Sequence, residues 1–437
     1  MVSFRKIYLQ ALPFFLTGGA ALFTNWTDTF VASFFGAPSV AAIGICGMLF
    51  FVLFSFSNGF SVAIQSFTAQ FMTSRENNEI LDAFVLCLIL SVLWGAFLTG
   101  LSFYFIEDIL AFLNPDAEVQ SASMLYLKFL LYCTPFYYVC AATRGLLISV
   151  GKAWVVSGIG VSIQIINVIV TVMLAFGMAG APDLGVVGIG LGTLAAFASG
   201  AVLYASAAAQ AIVQQKLRLG ALTPHLVLDI VTKAILSASQ VTIYALGLLS
   251  SYWIVGQFGV LVVAVYQVIS QTALLPLYAA NALGTVAINQ VGQALGAKDQ
   301  MGVQQLGMKI IVSAVLIVGC YALLVFGFAK EVLFLLLEET INAPHLLTVF
   351  ALSCLILPIN VAGVVSNFVL QGAQRFRRVW VVSAIAQWCV FLPLAYLLGG
   401  TMHYGLAGVI LADFIYRSGL FFVQFRFWKG PREPALA

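Results

Sequence analysis

Long apolar runs separated by short polar loops set the pattern of this chain. Runs of ~20 apolar residues, enough to cross a bilayer, fall near 8–33, 41–69, 84–106, 121–149, 154–178 and 186–212. A second set follows near 233–257, 260–292, 308–330, 346–371, 379–399 and 405–427. The twelve runs are joined by loops mostly under fifteen residues, which predicts an all-α membrane protein of twelve spans. The first run follows Arg5 and Lys6, as a signal sequence would, but it is longer than a signal h-region and no small-residue cleavage site follows it. It reads as a retained first helix.

The second set repeats the first. A shift of 223 residues places Gly36 on Gly259, Ala41 on Ala264, Asn58 on Asn281, Gln70 on Gln293, Arg75 on Lys298, Glu76 on Asp299 and Pro135 on Pro358. A shift of 226 superposes Trp154–Ser157 on Trp380–Ser383, and one of 220 places Gly185 and Gly188 on Gly405 and Gly408. The order and near-constant offset predict two pseudo-symmetric six-helix bundles: an N-lobe over 1–216, a C-lobe over 232–437, and a hinge-like cytoplasmic linker at 217–231. Six being even, both halves insert with the same orientation, a parallel repeat about an axis along the membrane normal.

Composition agrees: 62% of residues are hydrophobic and 8% charged, against about 25% charged in soluble domains. The sign pattern of the charges adds orientation. With a cytoplasmic N-terminus, sixteen of the nineteen Lys and Arg residues fall on the cytoplasmic side, Arg144 among them, and only Lys330 falls outside. Lys128 and Arg417 lie within spans, while Glu107, Asp108, Asp116, Glu118, Glu331, Glu338 and Glu339 collect in the outer loops. Both termini are therefore expected in the cytoplasm of a multi-pass cell (inner) membrane protein. The seven cysteines, all in apolar segments without CxxC or Cys/His spacing, read as packing residues. No HExxH or GxSxG occurs, and the phosphate-loop lookalike at Gly145–Ala153 is one residue too long. A non-enzyme is expected, with no cofactor, no nucleic-acid partner and an ion gradient as its energy source.

Asp28 stands well inside the first run, and an ionisable side chain at that depth costs ~2.5–3.5 kcal/mol, which makes it a functional candidate. Thr17, Ala21, Thr24, Asn25 and Asp28 share a helical face, as do Gln164, Asn167 and Thr171 on the fifth helix. Thr193 follows the glycine-rich run Gly185, Gly188, Gly190 and Gly192, which permits close helix approach. A carboxylate, amide oxygens and hydroxyls in apolar surroundings suit a hard cation such as Na⁺. They equally suit a carboxyl that takes up and releases a proton. The structural alternative is a buried acid bonded to its neighbours, with interhelical contacts worth ~0.6–2 kcal/mol each. Pro13 removes a backbone donor near the start of the first helix. Asp413 and Arg417, i and i+4 on the twelfth helix, are expected to neutralise each other. Asn25, Gln164, Gln240, Tyr244, Gln267, Gln271, Asn281 and Asn360 are polar side chains available to line a substrate cleft, with packing donors as the alternative reading.

Thr27-Asp28-Thr29, the run NALGTVAINQVGQALGAKD at 281–299, Asn167, Leu184-Gly185-Val186 and Gly372 together resemble the multidrug and toxic compound extrusion (MATE) transporters over nearly the whole chain. The resemblance implies an N-lobe cation site built from Asp28, Asn167 and Thr193, as in the DinF-like branch with an N-lobe Asp. Thr171 stands where that pattern has a second acid, a departure that favours H⁺ over Na⁺. It also implies bending of the first helix near Pro13. The acids that the other branch carries in the seventh and tenth helices are replaced here by Tyr244 and Asn360. The expected function is a monomeric cation-coupled antiporter, driven by H⁺ or Na⁺, that exports organic, cationic or amphipathic compounds by alternating access. Its partners are the membrane lipids and a small organic substrate. A lipid-linked oligosaccharide flippase of the same superfamily and a non-transporting membrane receptor or channel are the alternatives.

Overall fold

The computed structural model describes residues 4–74, 78–113, 117–220, 223–336 and 344–429. Arg75, Glu76, Asp116, Glu338, Glu339 and Arg432, which entered the repeat and charge arguments, lie outside the described residues, as do 221–222 of the predicted linker.

Apolar sequence at membrane length leaves the backbone only its own carbonyls to bond, so each run closes into a helix. Among the described residues twelve helices are long and apolar enough to cross a membrane. The first six are α1 (Phe4–Ser33), α2 (Ala37–Ser74), α3 (Asn78–Tyr104), α4 (Ala117–Ser149), α5 (Ala153–Ala175) and α6 (Val186–Gln214). The second six are α7 (Pro224–Gly256), α8 (Val260–Gly296), α9 (Gln300–Gly327), α10 (Pro344–Gly372), α11 (Phe376–Thr401) and α12 (Gly405–Lys429). The repeat extends to backbone detail. The α1–α2 turn passes through Gly36 at φ +92°, and the α7–α8 turn through Gly259 at φ +103°. This left-handed conformation costs glycine nothing and strains other residues.

Two features were not expected. The runs read as 84–106 and 308–330 end earlier in true helix, and each is followed by an eight-residue helix, Ile106–Leu113 and Ala329–Leu336. These start 223 residues apart and are amphipathic: Ile106 and Leu110 are buried, as are Ala329 and Leu333, while Glu107, Asp108 and Glu331 are exposed. The second feature is α11, which widens to π-helix over Ile385–Phe391 and again over Tyr396–Thr401. Pro393 sits between the two stretches. It supplies no amide to the helix ladder, and wider hydrogen-bond spacing is one way a helix absorbs that loss.

Contacts divide the chain into two compact units, Pro13–Val241 and Met1–Leu12 with Thr242–Ala437. The divisions therefore fall inside α1 and α7, beside the predicted linker rather than within it. In the first unit the cause is visible. Asp82, buried on α3, accepts from the Gly220 amide at 3.0 Å. Lys233 pairs with Asp229 at 2.6 Å and lies 5.0 Å over the Phe67 ring. A Cβ on Gly59 of α2 would meet the Ala238 backbone at 2.1 Å. These contacts hold the linker and the first turns of α7 against α2 and α3. The first unit has its core between α2, α4, α6 and the start of α7, with a second cluster around Val31, Ile43, Tyr126, Leu130 and Ile189. The second unit packs α8, α10 and α12 around Val265, Phe350, Val409 and Tyr416.

Candidate functional site

On α1 the polar residues divide between two faces. Thr24 and Asp28, one turn apart, are 6% and 8% exposed, and Thr17 is half-buried. Asn25 is exposed: one residue beyond Thr24 is a rotation of ~100°, which takes it off the inward stripe on which the sequence pattern placed it. Thr24, Thr27 and Thr29 satisfy their hydroxyls on the carbonyls of Ala20, Phe23 and Asn25. Near the start of the helix, the Pro13 carbonyl accepts from Thr17 at 3.0 Å and from Ser157 of α5 at 2.6 Å. Thr17 also donates to Ser157 Oγ at 3.1 Å. The proline turn of α1 is thus pinned to α5.

Beyond this pin, α5 and α6 bring the other predicted residues into the core. Asn167 Nδ2 donates to Thr193 Oγ1 at 3.1 Å, and the Thr193 hydroxyl donates in turn to the Ile189 carbonyl at 3.2 Å. Gly192 makes the approach possible, since a Cβ there would stand 2.1 Å from Thr171 Oγ1. Gly188 likewise lies against the backbone of Leu174 and Ala175. Tyr126 of α4 is the residue that sequence reasoning missed. It is 5% exposed, and its phenolic oxygen lies near Thr193 and within electrostatic range of Asp28. Four helices therefore converge, with Asp28, Tyr126, Thr193 and Asn167 forming a chain of neighbours and Thr171 against Gly192.

Among the described residues Asp28 Oδ1, Asn167 Oδ1 and Thr171 Oγ1 are all buried without a hydrogen-bond partner. Such groups are few in folded proteins and call for an unfilled ligand, ion or water. A carboxylate, an amide oxygen and a hydroxyl are oxygen donors of the type a hard cation takes, and a proton on Asp28 would supply the donor that its acceptor neighbours want. The donor set fits either ion.

The second half disposes its polar residues differently. Arg417 Nε donates to Asp413 Oδ2 at 2.7 Å, and Arg417 also donates to Asn360 Oδ1. Tyr244, Ser251, Tyr266, Gln387 and Tyr416 join this pair around a cavity of ≈ 20 Å³, room for about one water molecule. Gln267 accepts from Tyr252 at 2.5 Å. Gln267, Gln271 and Asn281 are exposed, and Gln164, Gln240, Tyr244 and Asn360 half-buried. Of the residues predicted to line a cleft, only Tyr244 and Asn360 are gathered into one place, around Arg417.

The MatE family model matches residues 13–173 and again 236–397. The chain belongs to the MATE family. The two matches begin 223 residues apart, the offset at which the halves superpose. Among curated relatives, a probable multidrug resistance protein NorM from Synechocystis sp. is 23% identical over 94% of this chain and 91% of its own. Multidrug resistance protein MdtK from Edwardsiella ictaluri is 25% identical over 91% and 88%. A crystal structure of a MATE protein in the bent conformation superposes with a TM-score of 0.86 at 18% identity, over 97% of this chain and 94% of that one. It shares the fold of this MATE member.

Proposed function

We propose that this MATE protein is a cation-coupled antiporter that exports organic, cationic or amphipathic compounds, with Asp28 as the site where H⁺ or Na⁺ enters. The observation that carries the reading is the buried Asp28 carboxyl, whose Oδ1 has no partner although Asn167 and Thr171 present equally unpartnered oxygens in the same core. The relatives' description as multidrug resistance proteins supports organic compounds as cargo over a lipid-linked sugar. One carboxylate beside Asn167, Thr171 and Thr193 supports a DinF-like reading with an N-lobe Asp and favours H⁺, since a monovalent metal held by one carboxylate and neutral oxygens is held weakly. Asn167, Thr171 and Thr193 orient and receive the ion. The Pro13 turn, pinned by Ser157, is where α1 bends as Asp28 changes charge. The lobes at 1–216 and 232–437 work as a monomer in the cell (inner) membrane with both termini cytoplasmic. Polar side chains such as Gln164, Gln240, Gln267, Gln271 and Asn281 contact substrate.

The test is efflux of a cationic dye from vesicles under separate pH and Na⁺ gradients, wild type against Asp28→Asn. Efflux driven by a pH gradient and lost in the variant is the expected result. Undiminished gradient-driven efflux in Asp28→Asn sinks the mechanism, and efflux driven by Na⁺ alone reverses the choice of ion.

A further inference from the structure

Arg144 is a charge of the first unit that the coupling site does not use. The sign pattern counted it with the cytoplasmic charges, but it lies within α4, on the helical face that also carries Tyr126, Cys133, Tyr137 and Cys140. Its Nη2 donates to Asn58 Oδ1 at 2.8 Å, an oxygen that the Tyr137 hydroxyl also approaches, at 3.5 Å. Asn58 stands near the midpoint of the 38-residue α2, so the guanidinium is held at depth. No carboxylate pairs with Arg144 among the described residues. A charge there is normally paired or lies on a substrate path, and this one has only neutral neighbours.

The guanidinium is also available. It carries five N–H donors, of which one is taken by Asn58. The side chain is half-buried, and none of its nitrogens is among the buried atoms without a partner, so the remaining donors face accessible space. Beside it stand aromatic faces. Tyr137 stacks on Phe54 with 14° between the ring planes and meets Phe197 edge-on at 5.2 Å, and both Tyr137 and Phe197 are half-buried. A planar fork of donors is the arrangement that takes a carboxylate or phosphate in two parallel hydrogen bonds. An aromatic wall next to it suits an aryl or extended apolar body.

We infer that Arg144, held by Asn58 and flanked by Tyr137 and Phe197, is a binding site for the carboxylate or phosphate group of an amphipathic anion or zwitterion. The inference rests on the export reading only for why such a compound reaches the membrane interior. It adds to the cargo molecules that can present an anionic group to the N-lobe.

The experiment reads binding without any gradient. Rhodamine B, a zwitterion with a free aryl carboxylate, and its ethyl ester, a cation with the same rings, are titrated by fluorescence polarisation. The protein is the full chain in phosphatidylcholine nanodiscs. In Arg144→Gln the affinity for rhodamine B should fall about tenfold or more while that for the ester is kept, and the ester serves as the check on folding. Arg144→Lys, which keeps the charge and loses the fork, should show a smaller loss of the same selectivity. Adding phosphatidylglycerol identifies the source of the anion. Selective weakening of rhodamine B on the wild type names a net-anionic phospholipid as competitor, no effect names a soluble anion, and either result upholds the site. Unchanged rhodamine B binding in Arg144→Gln, or parallel loss of both dyes in both variants, overturns the assignment. Selective binding without gradient-driven efflux would count against the export reading and leave this site standing.

Discussion

The two halves of the molecule share a scaffold and divide its chemistry unequally. At the offsets that align them, Asp28 falls on Ser251, Thr193 on Asp413, Asn167 on Pro393 and Thr171 on Leu397. The first half keeps its acid on its first helix, buried and without a partner for Oδ1. The second has its acid on its last helix, one turn from an arginine that clamps it at 2.7 Å. A carboxylate of the first kind is free to exchange an ion, whereas one of the second kind is already answered. Duplication thus supplies one scaffold twice, the acid sits at a different position of it in each half, and only the second is answered by a basic side chain.

The largest effect expected is on transport. Asp28→Asn should reduce gradient-driven dye efflux to background, and adding Ser251→Asp should not restore it, because Pro393 and Leu397 offer no oxygens where Asn167 and Thr171 stand. Rescue by the double variant would show that the halves are interchangeable. Next comes stability. Arg417→Leu alone strands Asp413 and should cost about 3–5 kcal/mol in thermal unfolding of the solubilised protein, while Asp413→Leu with Arg417→Leu should be close to neutral. If the double variant keeps its melting temperature but loses efflux, the second half also couples and the contrast fails. A smaller loss, about 1–3 kcal/mol, is expected for Gly192→Val, which drives a side chain into Thr171. Ser157→Ala, which removes the pin on the Pro13 carbonyl, should cost about 1 kcal/mol. A melting temperature equal to wild type in Ser157→Ala would show that α1 is not held there.

The spans were legible because a bilayer admits few alternatives to ~20-residue apolar helices, and the duplication was legible because glycine and proline punctuate both halves at one offset. Asp28 stood out by its cost. Other features were hidden for particular reasons. The helices at Ile106–Leu113 and Ala329–Leu336 are each eight residues long, too short to show a period of their own beside a long apolar run. Pro393 announces a disturbance in α11 without saying that the ladder widens to π on both sides of it. A tyrosine in an apolar helix is ordinary, so Tyr126 carried no signal alone. The series Tyr126, Cys133, Tyr137, Cys140 and Arg144 on one face of α4 would have marked it. The contact of Arg144 with Asn58 is a matter of tertiary packing, which spacing along the chain does not show. Asn25 stands one step around the helix from the buried Thr24, a difference that a stripe read from spacing does not resolve.

The division of α1 between the units bears on how the protein is made. Residues 1–12 belong with residues beyond 241, and Gln290 donates to Gln10 across 280 positions of sequence. Residues 1–12 therefore find the packing partners of their own unit only after α8 has been synthesised and inserted. Until then the opening turns of α1 have no protein surface of their own unit to rest on. Contacts this distant in sequence form late and slowly, so completing α1 would be among the last acts of folding, and the nascent first half would stay exposed to quality control until the second arrives.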